Sequence, residues 1–215
     1  MKSEFRNHRF LIRFFDVILS LVGISVFLLP ALFIAIAIRV DSKGPAIFRQ
    51  IRIGKKGREF SLLKFRTMIQ NASSSGLITV GSRDPRITVV GAFLRKYKLD
   101  ELPQLINVLK GEMSFVGPRP EVKKYVDMYT PEQKIVLSIP PGITDMASIR
   151  YSNENEVLAA CSDPDKYYIN VLVPAKIRLN MVFIERPTLT NYFSIIFATI
   201  LKIFGVRQGQ EDLKN

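Results

Sequence analysis

Asp100 and Glu101 are adjacent carboxylates at the head of an apolar stretch, with Pro103 just behind them. An ionised aspartate held there can act as a nucleophile toward phosphorus and carry the transferred group as an acyl phosphate. A neighbouring glutamate can hold a divalent cation. The plainer reading is that Asp100 caps a helix, a place aspartate favours. Basic side chains surround the pair along the chain: Lys64 and Arg66 after a strand-like run, Arg95 before the pair, and Arg119 between two prolines. Arginine grips phosphate through two parallel N–H donors. Any one of these cations can instead be a solvated surface charge. That reading is weakest for Arg119, whose backbone Pro118 and Pro120 restrain.

Other chemistries are poorly supplied. The single histidine, His8, lies near the N-terminus, which disfavours Ser-His-Asp and Cys-His catalysis. The single cysteine, Cys161, excludes an intramolecular disulfide and a cysteine-based zinc cluster. No GxxxxGK[ST] phosphate loop occurs. The 215 residues suggest one domain with an appendage. A net charge of +12 with 47% hydrophobic residues leaves an anionic partner: nucleic acid, a membrane surface or a phosphorylated substrate. All of that excess charge lies in residues 1–119, and residues 120–215 are neutral.

The elements that must position these residues follow from local pattern. Residues 46–50 and 60–65 read as short strands around a Gly54-Lys55-Lys56-Gly57 turn whose charges face lipid headgroups. Asn71 to Gly76 reads as a loop, and an amphipathic segment runs through Arg95. Leu99, Leu102, Ile106 and Leu109 predict a helix over 100–110 with one buried face, ended by Gly111. Thr130-Pro131-Glu132-Gln133 predicts a helix start, and Pro140-Pro141-Gly142 a turn. Tyr192 to Phe204 is too short to span a bilayer and predicts a helix at the interface or on the core.

Residues 17–38 form a run of 22 without a formal charge. About 20 apolar residues suffice to cross a bilayer. The run reads as a spanning helix or as a re-entrant hairpin. Pro30 inside it and basic residues on both flanks favour the hairpin, because positive residues gather on the cytoplasmic side. Asp16, at the start of the run, is expected to be interfacial and paired with Arg13 or a helix end.

LDELPQLINVLKGEMSFVGPRP (Leu99–Pro120) resembles the signature of the bacterial sugar transferases, the small monotopic polyprenyl-phosphate phosphoglycosyl transferases. The likeness extends to the apolar anchor with its proline, to FRQIRIGKKGREFSLLKFRTM (Phe48–Met68), to DPRITVVGAFLRK (Asp84–Lys96) and to PPGIT (Pro140–Thr144). It implies a mostly helical α+β fold: a re-entrant anchor over 1–39, a small cytosolic catalytic domain over 40–215 and interfacial amphipathic helices. It implies transfer of a phosphosugar from a UDP-sugar to undecaprenyl phosphate, with release of UMP, at the cytoplasmic leaflet of the bacterial inner membrane. That reaction opens surface glycoconjugate synthesis. By the resemblance Asp100 forms a covalent phosphosugar adduct and Glu101 binds Mg²⁺ beside it. Lys64, Arg95 and Arg119 contact phosphates, and Pro30 breaks the anchor helix. The family's Ser-Pro pair is Leu29-Pro30 here. The stretch after PGIT also departs from the family, so residues 145–185, including Asn153-Glu154-Asn155-Glu156, are expected to shape the sugar or nucleotide pocket.

A second class remains open: a bitopic membrane protein whose basic cytosolic domain binds anions without catalysis. The basic residues alternate with turns and carboxylates, and no nucleic-acid module is recognisable, so nucleic acid is not expected as a partner.

Overall fold

The computed structural model describes residues 4–70, 72 and 84–204. Among them helices dominate. The long helix α1 (Glu4–Asp41) is followed by an antiparallel hairpin of β1 (Ile47–Ile53) and β2 (Glu59–Phe65). Helices α2 (Val89–Lys96) and α3 (Gln104–Lys110) come next. Strand β3 (Ser114–Val116) then pairs in parallel with β4 (Gly142–Thr144). Four short helices, α4 (Lys123–Val126), α5 (Met146–Arg150), α6 (Glu154–Ala159) and α7 (Pro164–Tyr167), follow β3 in the chain. The longer helices α8 (Val173–Glu185) and α9 (Leu189–Ile203) end the described chain.

The hairpin follows from the alternation in the sequence, and its register sets Lys64 opposite Phe48. Its connection is a tight turn over Lys55–Gly57, with Lys56 in the left-handed region. The strands run a few residues beyond the expected bounds. The Gly/Ser-rich stretch expected as a loop lies outside the described residues, Ala72 aside. Thr130 to Gln133 opens a 3-10 turn over Gln133–Ser138 rather than a full helix. Thr130 and Gln133 cap each other there, each backbone N–H bonding the other's side chain.

Helix α1 is long and apolar enough to cross a membrane. Pro30 does not break it: the helix continues through Pro30 to Asp41. Proline removes one backbone bond from the ladder, and the helix-forming residues on both sides carry the rest. One stripe of α1 faces the remainder of the chain. Ile12, Asp16 and Ser20 are buried near its start, and Ile38 near its end. Gly23 packs on Leu105 of α3. Ala31, Ile34 and Ala35 join Ile38 against Phe65, Leu94, Leu99 and Leu102. Between these contacts, residues 25–30 are all exposed.

Asp16 is not paired with Arg13. Its Oδ1 accepts from Ser114 Oγ at 3.0 Å, Phe115 N at 3.0 Å and Tyr192 OH at 2.9 Å. Arg13 instead donates to the carbonyls of Val108 and Leu109 at the C-terminal end of α3. Terminal helix carbonyls lack partners, and a cation there also complements the helix dipole. Helix α9 buries Tyr192 and Ile195 in the largest core cluster and leaves Phe197, Ile200, Ile203 and Phe204 exposed. It therefore packs on the core along one face and bares an apolar face along the other.

Candidate active site

Asp100 and Glu101 lie in a 3-10 turn, Leu99–Glu101, that precedes α3. The expected single helix over 100–110 is thus a turn followed by a shorter helix from Gln104, with Pro103 at its N-cap. Neither carboxylate caps α3, whose N-cap makes no side-chain bond. The expected buried face also differs. Leu105, Asn107 and Val108 are buried, while Ile106 is exposed. Leu99 and Leu102 pack toward α1 instead.

The residue before the turn, Lys98, has φ +58. A left-handed backbone at a non-glycine residue is uncommon and costs conformational energy. Here it turns the chain so that both carboxylates point inward. Asp100 is 7% exposed and Glu101 9%. Asp100 Oδ1 is buried with no hydrogen-bond partner among the described residues.

Glu101 is held from two sides. Its Oε1 accepts from Lys64 Nζ at 3.0 Å and from Arg119 Nη2 at 2.7 Å. Each cation is placed by a backbone device. Asn107, fully buried on α3, accepts from Leu63 N at 3.1 Å and donates to Ser61 O at 2.8 Å. That staple fixes β2 against α3 and sets Lys64 over the turn. Arg119 N donates to Asp145 Oδ2 at 3.0 Å, and Asn180 Nδ2 donates to the same oxygen at 2.8 Å. The loop's approach also needs Gly117, since a Cβ there would sit 2.4 Å from Pro140 O.

Arg95 approaches from α2. A Cβ at Gly91 would sit 2.1 Å from Thr67 O, so glycine is what lets α2 lie against the end of β2. Arg95 Nε then donates to Thr67 Oγ1 at 2.8 Å, within electrostatic reach of Asp100. Arg66 goes elsewhere. It is buried at the C-terminal end of α1, donating to the carbonyls of Ile38, Ser42 and Lys43. Lys64, Arg95, Arg119, Asp100 and Glu101 are thus brought together, and Arg66 is a helix cap.

The two carboxylates titrate differently. Burial raises the Glu101 carboxyl, but Arg119 and Lys64 outweigh that and hold it well below the usual carboxylate range. Burial pushes the Asp100 carboxyl up, and the Glu101 charge adds to that, against Lys64, Lys98 and Arg95. Burial also lowers the Lys64 ammonium, with Glu101 opposing. Two carboxylates therefore face four cations, Lys64, Lys98, Arg95 and Arg119. The surplus positive charge suits a diphosphate.

Among the described residues no group of three His, Cys, Asp or Glu side chains could hold a metal. The dyad nevertheless fits Mg²⁺, which is commonly held by one or two carboxylates and completed by substrate phosphates. The unpartnered Asp100 oxygen is the kind of group such an ion would satisfy.

A small cavity of about 30 Å³ is lined by Arg119, Glu121, Tyr129, Lys176 and Asn180 among others. Lys98 and Asn107 were missed as contributors to the site by sequence reasoning, and Asp145, at the edge of the 145–185 stretch expected to shape the pocket, was not given its role in holding Arg119. Lys98 had a signal in its place two residues before the dyad. The other two act through contacts across the fold, which local spacing does not carry.

The chain matches the family profile described as bacterial sugar transferase over residues 7–206. It is 35% identical to a UDP-N-acetylgalactosamine-undecaprenyl-phosphate N-acetylgalactosaminephosphotransferase of Aeromonas hydrophila, over 93% of this chain and 46% of that protein. It is 40% identical to a UDP-glucose:undecaprenyl-phosphate glucose-1-phosphate transferase of Caulobacter vibrioides, over 64% of this chain and 53% of that protein. It is 32% identical to an undecaprenyl-phosphate galactose phosphotransferase of Salmonella typhimurium, over 90% of this chain and 40% of that protein. The chain spans about half the length of these three relatives. A profile match over nearly the whole chain, through the dyad and the loop that carries Arg119, decides the family: this chain belongs to the bacterial sugar transferases.

Proposed function

We propose that this chain transfers a phosphosugar from a UDP-activated sugar to undecaprenyl phosphate, releasing UMP. The observation that carries this reading is the buried Asp100 oxygen without a partner, beside a glutamate whose Oε1 is held by Lys64 and Arg119. The relatives' names supply the substrate classes.

An Asp100 carboxylate oxygen attacks the β-phosphorus of the donor. The bond from that phosphorus to the oxygen bridging the two phosphates breaks, and UMP leaves with the bridging oxygen. The phosphosugar is then held as an acyl phosphate on Asp100. A phosphate oxygen of undecaprenyl phosphate attacks the same phosphorus, the Asp100–phosphorus bond breaks, and polyprenyl-diphosphate-sugar forms. Mg²⁺ held by Asp100 and Glu101 would neutralise phosphate charge and polarise the phosphorus when bound. Arg119 and Lys64, fixed on Glu101, present positive charge to the diphosphate without reorganising. Arg95, braced by Thr67, lowers the cost of an ionised Asp100. Burial leaves the Asp100 carboxylate poorly solvated, and Lys64, Lys98 and Arg95 favour the ionised form that attacks phosphorus.

The membrane reading rests on α1. Both ends of its buried stripe, Asp16 and Ile38, pack against the same domain, and residues 25–30 between them stand exposed. A helix crossing the bilayer outright would leave its two ends on opposite sides of it. We therefore read α1 as dipping residues 25–30 into the membrane without crossing it, and the site as lying at the cytoplasmic leaflet. There a lipid phosphate and a soluble nucleotide sugar can both reach Asp100.

The test is UMP release from a panel of UDP-sugars with undecaprenyl phosphate in detergent or nanodiscs. Wild type should release UMP from at least one donor, and Asp100→Asn should lose on the order of 10³-fold or more in rate while remaining membrane-bound. Unchanged turnover by the variant would refute Asp100 as the nucleophile.

A further inference from the structure

We propose that Asp145, oriented by Asn180, is a positioning residue for the transfer reaction: it fixes the backbone of Arg119 so that the guanidinium stands on Glu101 and is presented to the diphosphate. The inference rests on the function proposed above and adds to it the pair of residues that keeps Arg119 in place.

Arg119 is a partly exposed side chain on a buried loop. Pro118 and Pro120 are buried, while the Arg119 side chain is 41% exposed. Proline has no backbone N–H. Between Gly117 and Glu121 the Arg119 N–H is therefore the one backbone donor, and its direction sets how the side chain leaves the loop. The neighbouring Gly117 N meets a carbonyl, Thr144 O, at 3.1 Å. Arg119 N meets a carboxylate instead, Asp145 Oδ2 at 3.0 Å. A hydrogen bond to a charged acceptor is roughly twice as strong as one between neutral groups.

Asp145 is itself held from two further sides. Its Oδ1 accepts from Ser148 N at 2.5 Å and so caps α5. Its Oδ2 accepts a second bond, from Asn180 Nδ2 on α8 at 2.8 Å. Asp145 is 3% exposed and Asn180 5%. Capping alone needs one oxygen. A buried asparagine from a distant helix is spent here on orienting the other, the one that Arg119 N uses. Burying an amide is costly unless it is hydrogen-bonded, so the two side chains depend on each other. The charge of Asp145 also reaches the guanidinium: after Glu101, it is the acid that most favours the charged Arg119.

The loop is gripped elsewhere as well. Pro118 O accepts from Gly142 N at 3.1 Å, and Pro120 O from Arg52 Nη1 at 3.0 Å. Those bonds hold the prolines, whereas the Asp145 bond holds Arg119 itself.

The experiment is a double-mutant cycle on the full chain in nanodiscs. It measures kcat and KM for UMP release from a UDP-sugar that wild type turns over, at enzyme concentrations high enough to read slow variants. Asp145→Ala, Asn180→Ala and Arg119→Ala are made singly, and the first two are made again with Arg119→Ala. Asp145→Ala should lower kcat/KM per folded molecule by about tenfold or more, the effect of losing one hydrogen bond to a charged group, and Asn180→Ala by about threefold. Both losses should fall on the parameter, kcat or KM, that Arg119→Ala alters. In the Arg119→Ala background each should shrink to within about twofold. Equal losses with and without the Arg119 side chain would overturn the proposal, since Asp145 would then act as a cap of α5 alone. Wild-type turnover in both single variants would overturn it too. Should Asp145→Ala not fold, Asn180→Ala carries the same test, because it leaves the bonds from Ser148 and Arg119 to Asp145 in place. Failure of the underlying function is distinguishable: wild type would then release no UMP from any donor.

Discussion

Asp16 and Asp100, two of the three buried aspartates among the described residues, differ in how the fold treats their oxygens. Asp16, on the anchor, accepts three hydrogen bonds from a strand backbone, a serine and a tyrosine. Asp100, in the turn before α3, leaves one buried oxygen with nothing to bond. Both are nearly inaccessible, at 3% and 7% exposure. Burying a polar group without a partner costs about 1–3 kcal/mol or more for a charged one. A fold that completes the coordination of one aspartate and not the other has made the first part of the scaffold. The second is kept for a group that arrives from outside.

The largest effect should separate the two by activity. Asp100→Asn removes the nucleophile and nearly all turnover, as set out above, while Asp16→Asn keeps an accepting oxygen in place and should leave turnover per folded molecule within about threefold. Comparable losses in both variants would mean that Asp100 is also scaffold.

Stability should run the other way. Asp16→Ala strands the Ser114 hydroxyl, the Tyr192 hydroxyl and the Phe115 N–H, and should destabilise by about 3 kcal/mol, read as a lowered Tm. Asp100→Asn should hold or raise Tm at pH 7. Burial raises the Asp100 carboxyl in the folded chain, so folding binds its proton more tightly than the unfolded chain does. Its contribution to stability therefore falls as pH rises through the window between the unfolded and the raised folded value. The Asn variant escapes that loss, and its advantage should vanish below the ordinary aspartate range. A Tm penalty for Asp100→Asn at neutral pH would break the contrast.

Glu101 sharpens the picture as the satisfied half of the dyad. Its carboxyl is depressed by Arg119 and Lys64, so its stabilising contribution is present above the unfolded glutamate value and is lost only in strong acid. Arg119→Lys replaces a planar fork with a point charge. It should lower kcat/KM by about 10–100-fold and shift acid unfolding to higher pH, measured by circular dichroism along a pH titration. An unchanged acid midpoint would mean that Arg119 does not set the Glu101 titration.

The same contrast explains what the sequence disclosed. The alternation of the hairpin strands, the loop around Arg119 and the apolar anchor were legible because each is a local pattern. The dyad and its basic partners were also legible, as residue types and through a family likeness. The helix start was placed too early because Pro103 moves it to Gln104 and leaves the carboxylates in a separate turn. Its buried face was misjudged because α1 covers Leu99 and Leu102, a contact that spacing along α3 cannot reveal. Asp16 was assigned the wrong partners for a related reason: all three of its donors lie about a hundred or more residues away. Arg66 looked like a phosphate ligand beside Lys64, yet it lies just past the end of β2, where its guanidinium reaches the carbonyls at the end of α1, a long-range contact that local spacing does not carry.

The most direct measurement is the intact mass of the full chain mixed with Mg²⁺ and a UDP-sugar that it turns over, with no polyprenyl phosphate present. A mass gain equal to one phosphosugar, located by peptide mapping to Asp100 and missing in Asp100→Asn, is the predicted result. Wild-type protein that releases UMP only when the lipid acceptor is added, with no adduct at any time, would contradict the covalent role of Asp100.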